Sequence, residues 1–263
     1  MIAALLARLR NRRERRRLFA LRPDSGRREA IGPYRIQIND GPNFYMMRKD
    51  IFERRIYHFE ATRSDPVIID GGANIGLATL YYKTIYPAAR IRAFDPDPAI
   101  AMILKSNIKE NGVTGVEVID AALGGATGMI AFVAARACDA CIATYRPEDD
   151  ARGETITVPI RALRDELDGP VDLLKLNIEG AEWEALEGAR DRLKNVREMI
   201  IEYHHLPGLP RTLHRILGLL DEVGFDYLIN DIDGESNRGV LPPFRLERGT
   251  RYFLLVYAKR RLA

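Results

Sequence analysis

Short apolar runs alternate with longer segments of helical period along most of the chain. Val67 to Ile69 are β-branched and lack polar alternation, as expected of a strand covered on both faces, and Ile91 to Phe94, Val116 to Ile119, Val171 to Leu176 and Glu198 to Tyr203 read as the further core strands. Between them, Leu77 to Tyr81, the set Ile100, Ile103, Leu104 and Ile108, and the set Ala181, Leu186, Ala189 and Leu193 recur at helical spacing. Leu213 to Val223 predicts a later amphipathic helix stopped by Gly224, followed by two closing strands, Phe225 to Ile229 and Tyr252 to Tyr257. Gly128 to Ala134 and Thr155 to Ile160 read as additional strands around a polar loop. The pattern predicts an α/β fold with a doubly wound, seven-stranded, mostly parallel sheet whose edge contains an antiparallel strand. Upstream, Tyr34 to Asn39 and Asn43 to Met47 read as strands of a hairpin turned by Asp40-Gly41-Pro42, which with Tyr57 and His58 forms either a lid or packing. The expected division is a basic arm over 1–30 and one domain over 31–263, with the hairpin in 31–60 and the core in 61–263.

Charge sets the arm apart. The net formal charge is +3, yet residues 1–28 hold ten arginines against Glu14 and Asp24, so the arm carries +8 and the body −5. A nucleic-acid face spreads basic residues over the folded surface, with aromatic platforms for single strands, so no nucleic-acid partner is expected. Ile2, Leu5, Leu6 and Leu9 stand at helical spacing before Arg12, Arg13, Arg15, Arg16 and Arg17, which suits either peripheral contact with an anionic membrane or a solvated helix. The apolar stretch is too short to span a bilayer and lacks a small-residue cleavage site. The expected location is cytoplasmic, with membrane association as the variant. Cys138 and Cys141 form one CxxC with no histidine nearby in sequence, which favours a structural loop over a metal or redox site.

Candidate chemistry begins where the first core strand ends. Val-Ile-Ile-Asp-Gly-Gly-Ala-Asn-Ile-Gly, residues 67–76, delivers an acid and a glycine-rich turn to the following helix. Its DxGxNxG spacing differs from the dinucleotide fingerprint GxGxxG, and no GxxxxGK[ST] is present. Asn74 stands where many such loops carry glycine, and Asn tolerates positive φ better than most residues. A different adenosine cofactor, held by Asp70, Gly71, Gly72, Ala73, Asn74, Ile75 and Gly76, competes with a glycine turn that binds nothing. Asp95 ends the second strand 25 residues after Asp70, where a carboxylate can grip a ribose diol; the competing role is capping of the next helix together with Asp97. Asp70, Asp95, Asp120, Asn177 and His204 all fall at the carboxyl ends of strands, where cofactor and substrate should meet.

Four segments together carry a resemblance. Val67 to Thr79, Ala93 to Asn107, Asp120 to Gly124, and Leu173 to Glu182 with its Leu-Lys-Leu-Asn-Ile-Glu-Gly core resemble, in order and spacing, the successive motifs of the FkbM family of methyltransferases. The resemblance runs from about Ile51 to about His205. It implies a Rossmann-like class I methyltransferase fold and S-adenosylmethionine as cofactor, with Pro96, Ala121, Ala122 and Asn177 joining the turn, Asp95 and Asp120 in its site. It also implies transfer of a methyl group to a hydroxyl of a sugar, glycolipid or natural product. The alternatives are a cofactor-binding scaffold without catalysis and, less favoured by the loop spacing, a dinucleotide-dependent oxidoreductase.

Two positions depart from the family pattern. Asp95 stands in place of the usual Glu and preserves ribose chemistry. Asn177 stands in place of the usual Asp of LKxDxEG; it can donate or accept a hydrogen bond but cannot act as a carboxylate base, and it is a poor ligand for a hard cation. That argues against a divalent-metal mechanism centred there. A base near neutral pKa would assist a hydroxyl acceptor, and His204 in Ile-Ile-Glu-Tyr-His-His is the first candidate, with Glu202 orienting it and Glu179 as the other candidate.

Overall fold

The structure, a computed structural model, describes residues 2–22, 25–134, 141–142, 154–205, 210–231 and 252–261. Its helices are α1 (Ile2–Phe19), α2 (Gly41–Arg48), α3 (Leu77–Ile85), α4 (Pro98–Glu110), α5 (Leu163–Glu166), α6 (Glu182–Gly188) and α7 (Leu213–Glu222). A π-helical turn at Lys49–Glu53 prolongs α2, and a 3-10 turn at Arg190–Asn195 follows α6. The strands are β1 (Arg28–Ile31), β2 (Tyr34–Gln37), β3 (Val67–Gly71), β4 (Arg90–Phe94), β5 (Val116–Ile119), β6 (Ala122–Gly124), β7 (Gly128–Ala134), β8 (Cys141–Ile142), β9 (Glu154–Ala162), β10 (Val171–Leu176), β11 (Val196–His205), β12 (Phe225–Asp231) and β13 (Tyr252–Arg260).

Seven strands form the main sheet in the order β12-β13-β11-β10-β3-β4-β5. Every pairing from β11 to β5 is parallel, and β13 runs antiparallel to both β11 and β12. The antiparallel strand therefore lies one position in from the edge, because two closing strands insert as a hairpin-like pair. Consecutive residues face opposite layers. Ile68 and Leu173 pack with α3 and α4 on one face, whereas Ile69 and Leu174 pack with α5, α6 and α7 on the other. The strand order reverses between β3 and β10, so the loops leaving those two strands diverge to opposite layers and open a crevice at their carboxyl ends. A smaller sheet, β6-β9-β7-β8, closes one side of that crevice.

The upstream hairpin contains the predicted strand from Tyr34 as β2, but its partner lies before it and not after it. β1 pairs with β2, and Asn43 to Met47 lies inside α2 rather than in a strand. The cause is local: Asp40 is an N-cap whose side chain accepts from Asn43 N at 2.6 Å, and Pro42 sits in the first turn, where its missing N–H costs nothing. Asp-Gly-Pro-Asn therefore starts a helix instead of turning a hairpin. α1 packs on α2 through Leu18, fully buried, and through Asn11, which accepts from the Tyr45 hydroxyl at 2.7 Å. No described helix is long and apolar enough to cross a membrane. Cys138 lies outside the described residues, while the Cys141 backbone belongs to β8.

Candidate active site

The turn after β3 is fastened from below by a buried ion pair. Parallel register sets Lys175 beside Asp70, with Nζ 3.1 Å from Oδ1, and both side chains are almost wholly excluded from solvent. Thr79 Oγ1 donates to Asp70 Oδ2 at 2.7 Å, and Lys175 Nζ also donates to the Gly71 and Gly72 carbonyls at 3.0 and 2.7 Å. Two backbone carbonyls thus accept from the ammonium and the Asp70 carboxylate offsets its charge, which is what allows a lysine to be buried. Asp70 holds the loop and does not line the crevice; Gly71, Ile75 and Gly76 likewise lie outside its lining. Gly72 is at φ 72°, and a Cβ there would fall on the Asn177 carbonyl oxygen, so two strand ends approach each other too closely for any side chain. Asn74 takes φ 51°, as its position in the motif requires, and its Oδ1 accepts from Ile75 N at 2.7 Å.

Asp95 faces the crevice at the end of β4. Its two oxygens accept from Asn74 N at 2.8 Å and Asp97 N at 3.1 Å, and each retains a further lone pair. Burial lifts the carboxyl to about 7, against the pull of those two backbone donors. Capping of α4 falls to Asp97, which accepts from Ala99 N and Ile100 N. Beside Asp95, Pro96, Ala121, Ala122, Leu123 and Phe132 line an apolar section. Asp120, grouped with them by sequence, is instead half-exposed and pairs with Lys105 at 2.6 Å, outside the lining.

At the other end of the same cavity, of about 240 Å³, Asn177, Tyr57, Glu179 and Glu202 converge. Asn177 Nδ2 lies 3.4 Å from the Tyr57 hydroxyl, which donates to Glu202 Oε2 at 2.6 Å. Burial and the Glu202 charge hold Tyr57 protonated far above its ordinary range. Asn177 Oδ1 is buried and has no hydrogen-bond partner among the described residues. Behind Glu202, His204 is buried within reach of three carboxylates: Glu182 at 3.2 Å, Glu179 at 3.4 Å and Glu202 at 3.7 Å. Burial alone would make the imidazole neutral, but the three glutamates outweigh it and raise its pKa to about 10. His204 is accordingly a fixed cation, not a base near neutrality. The expectation of a neutral imidazole fails because strand alternation from Glu202 and the turn at Glu179-Gly180 bring acids around it from two elements. Glu182 is committed elsewhere, accepting from Ile178 N and Gly180 N at 3.2 Å each.

The opposite wall comes from α2 and its π-helical turn, through Asn43, Met46, Met47, Asp50 and Ile51. His58, read from sequence as part of either a lid or packing, lies against the Tyr81 hydroxyl at 3.0 Å and takes no part in the lining.

A family model described as the methyltransferase FkbM domain matches residues 70–227, more than half of the chain. The chain belongs to this family. Among its relatives, the FkbM-family protein is 30% identical over 212 residues to methyltransferase sdnD of Sordaria araneosa, across 68% of this chain and 80% of that one. It is 25% identical over 226 residues to the 31-O-demethyl-FK506 methyltransferase FkbM of Streptomyces tacrolimicus, across 72% and 84% of the two chains. The crystal structure of M. jannaschii TYW2 in complex with AdoMet superposes with a TM-score of 0.52 at 14% identity, covering 92% of this chain and 90% of that one, a likeness of fold.

The FkbM-family chain is thus a methyltransferase whose crevice gathers Gly72, Ala73, Asn74, Asp95, Pro96, Ala121, Ala122, Asn177, Glu179 and Glu202 from the residues that sequence singled out. Sequence reasoning passed over Lys175, Glu182 and the α2 wall. A lysine inside an otherwise apolar strand is itself a signal, since it must find buried acceptors. The α2 wall carried none once its cap was read as a turn.

Proposed function

We propose that this FkbM-family methyltransferase moves the methyl group of S-adenosylmethionine to a hydroxyl oxygen of a small acceptor: a sugar, a glycolipid or a natural product. The observation that carries the reading is Asn177 Oδ1, a buried acceptor without a partner among the described residues, facing the same cavity as Asp95, whose oxygens keep free lone pairs. A ligand with a donor at one end and a diol at the other suits that pair. Bound S-adenosylmethionine supplies a methyl group on a sulfonium, which departs as a neutral thioether when a nucleophile takes the carbon. Asp95 is assigned the ribose hydroxyls, the apolar section from Pro96 to Phe132 the adenine, and Asn177 Oδ1 the methionine ammonium or the acceptor hydroxyl. Glu202, or Glu179 beside it, is assigned the acceptor proton, because His204 already holds one. His204 positions both carboxylates, and Tyr57 fixes one oxygen of Glu202 by donating to it. The name of the Streptomyces tacrolimicus relative, which specifies methylation at an oxygen, supports a hydroxyl acceptor here.

Calorimetric titration with S-adenosylmethionine, S-adenosylhomocysteine and NAD tests the reading. Single-site binding of both sulfur compounds and none of NAD is expected; the reverse replaces the reading with a dinucleotide-dependent oxidoreductase. Turnover that appears only in Asn177→Asp would instead make the parent a silent cofactor-binding scaffold.

A further inference from the structure

The basic arm has no part in the crevice, and its packing leaves one side unclaimed. Asn11, Glu14 and Leu18 turn towards the body: Asn11 meets Tyr45, Glu14 pairs with Arg48 at 2.9 Å, and Leu18 enters the core. At about 100° per residue, positions 12, 13 and 16 fall on the opposite side. Arg12, Arg13 and Arg16 are exposed there and have no carboxylate within ion-pair distance among the described residues, whereas Arg17 is paired with Glu29. Continued backwards along α1, positions 2, 5, 6 and 9 share that register, and the sequence fills them with Ile, Leu, Leu and Leu. One side of α1 thus reads as an apolar stretch succeeded by a band of unpaired arginines. Phe19, 44% exposed, adds a large apolar ring beside Arg15, whose guanidinium stands 5.0 Å over it.

We infer that α1 docks this enzyme on an anionic lipid surface, with Arg12, Arg13 and Arg16 at the headgroups and the apolar positions entering the acyl boundary. Charge selects the partner. The arm carries +8 while the body carries −5, so an anionic surface attracts α1 and repels the rest, which fixes the orientation. An RNA partner would make no use of the aliphatic positions and would find no row of aromatic platforms on this helix. α1 also backs α2, whose other side lines the crevice, so a docked α1 anchors the wall of the site to the surface from which a lipid-linked acceptor would arrive.

Sedimentation of the full chain with phosphatidylcholine vesicles, with and without phosphatidylglycerol, reads the docking. Partition onto the anionic vesicles alone, weakening as salt is added, is the expected result. Each arginine near the headgroups contributes about fivefold in partition, so the triple substitution Arg12→Glu, Arg13→Glu, Arg16→Glu should reduce it at least about a hundredfold. Leu5→Gln with Leu6→Gln should also reduce it without altering net charge, and both variants should retain the parent's affinity for S-adenosylhomocysteine. Equal partition onto neutral vesicles, no partition at all, or displacement from anionic vesicles by RNA at low concentration overturns the proposal. None of those outcomes touches the methyl-transfer reading, which is decided by the cofactor titration.

Discussion

Removing the charge of His204 is the perturbation to which the structure attaches a large and pH-dependent effect. In His204→Gln the three carboxylates of Glu179, Glu182 and Glu202, at 3.4, 3.2 and 3.7 Å from the imidazole nitrogens, lose the cation they share. The rise of the histidine from 6.5 to about 10 corresponds to roughly 5 kcal/mol at about 1.4 kcal/mol per pH unit. Deleting one partner of a buried ion pair costs about 3–5 kcal/mol in general, so the two routes agree on a loss of about 4 kcal/mol near neutral pH. The sign against pH follows from proton counting. Folded parent keeps a proton on His204 that the unfolded chain has released above 6.5, so the stabilisation is complete below 6.5 and is lost as pH rises through about 10. Guanidinium unfolding of parent and variant across that range should therefore show a difference that is greatest at its acid end and shrinks by about 1.4 kcal/mol per pH unit towards the alkaline end. A difference below about 1 kcal/mol near neutrality, the size of an exposed pair, or one that does not change with pH, would refute the buried-cation account.

Further outcomes are expected at Asp95, Gly72 and Glu202. Asp95→Asn should weaken binding of S-adenosylhomocysteine by at least about tenfold, since a charge-assisted hydrogen bond contributes about 1.5–3 kcal/mol; in the parent, affinity should climb as pH rises through about 7, with proton release visible as a buffer-dependent binding enthalpy. Folding should follow the opposite trend at the same residue: the folded state holds the Asp95 proton between 3.8 and about 7, so its contribution to stability declines as pH rises through that window. Gly72→Ala, which forces a Cβ onto the Asn177 carbonyl at φ 72°, should lose roughly 2–5 kcal/mol in thermal unfolding from left-handed strain and overpacking together. Glu202→Gln should lower kcat about 10²- to 10⁴-fold while leaving cofactor affinity within error, and a loss confined to cofactor affinity would remove Glu202 from proton transfer.

The main sheet was legible because each parallel strand is a short run dominated by apolar residues and bounded by turn or helix signals. Asn74 at positive φ and Asp95 at a strand end follow from local motifs, so they too could be read, whereas the approach of Gly72 to Asn177 could not. What depended on contacts between distant segments could not. Asp70 looks like a ligand-facing acid until Lys175, 105 residues later, is seen to occupy it. Asp120 has the right position in the chain, but its side chain turns out to Lys105. His204 has the right residue type for a base, and the approach of Glu179 and Glu182 to it beside Glu202 raises its pKa to about 10. α2 was misread because Asp-Gly-Pro serves turns and helix starts equally well, and the apolar residues after it decide between them only once α1 and the crevice supply two buried sides.

The most direct test of the account follows an isotopically labelled methyl group from S-adenosylmethionine into extracts or vesicles of the producing cells, with parent and Glu202→Gln compared by mass spectrometry and carbon NMR. The account predicts that the parent places the label in a new methyl ether, with S-adenosylhomocysteine formed in equal amount and little product from the variant. Label arriving only on nitrogen or carbon, or undiminished ether formation by Glu202→Gln, would contradict it.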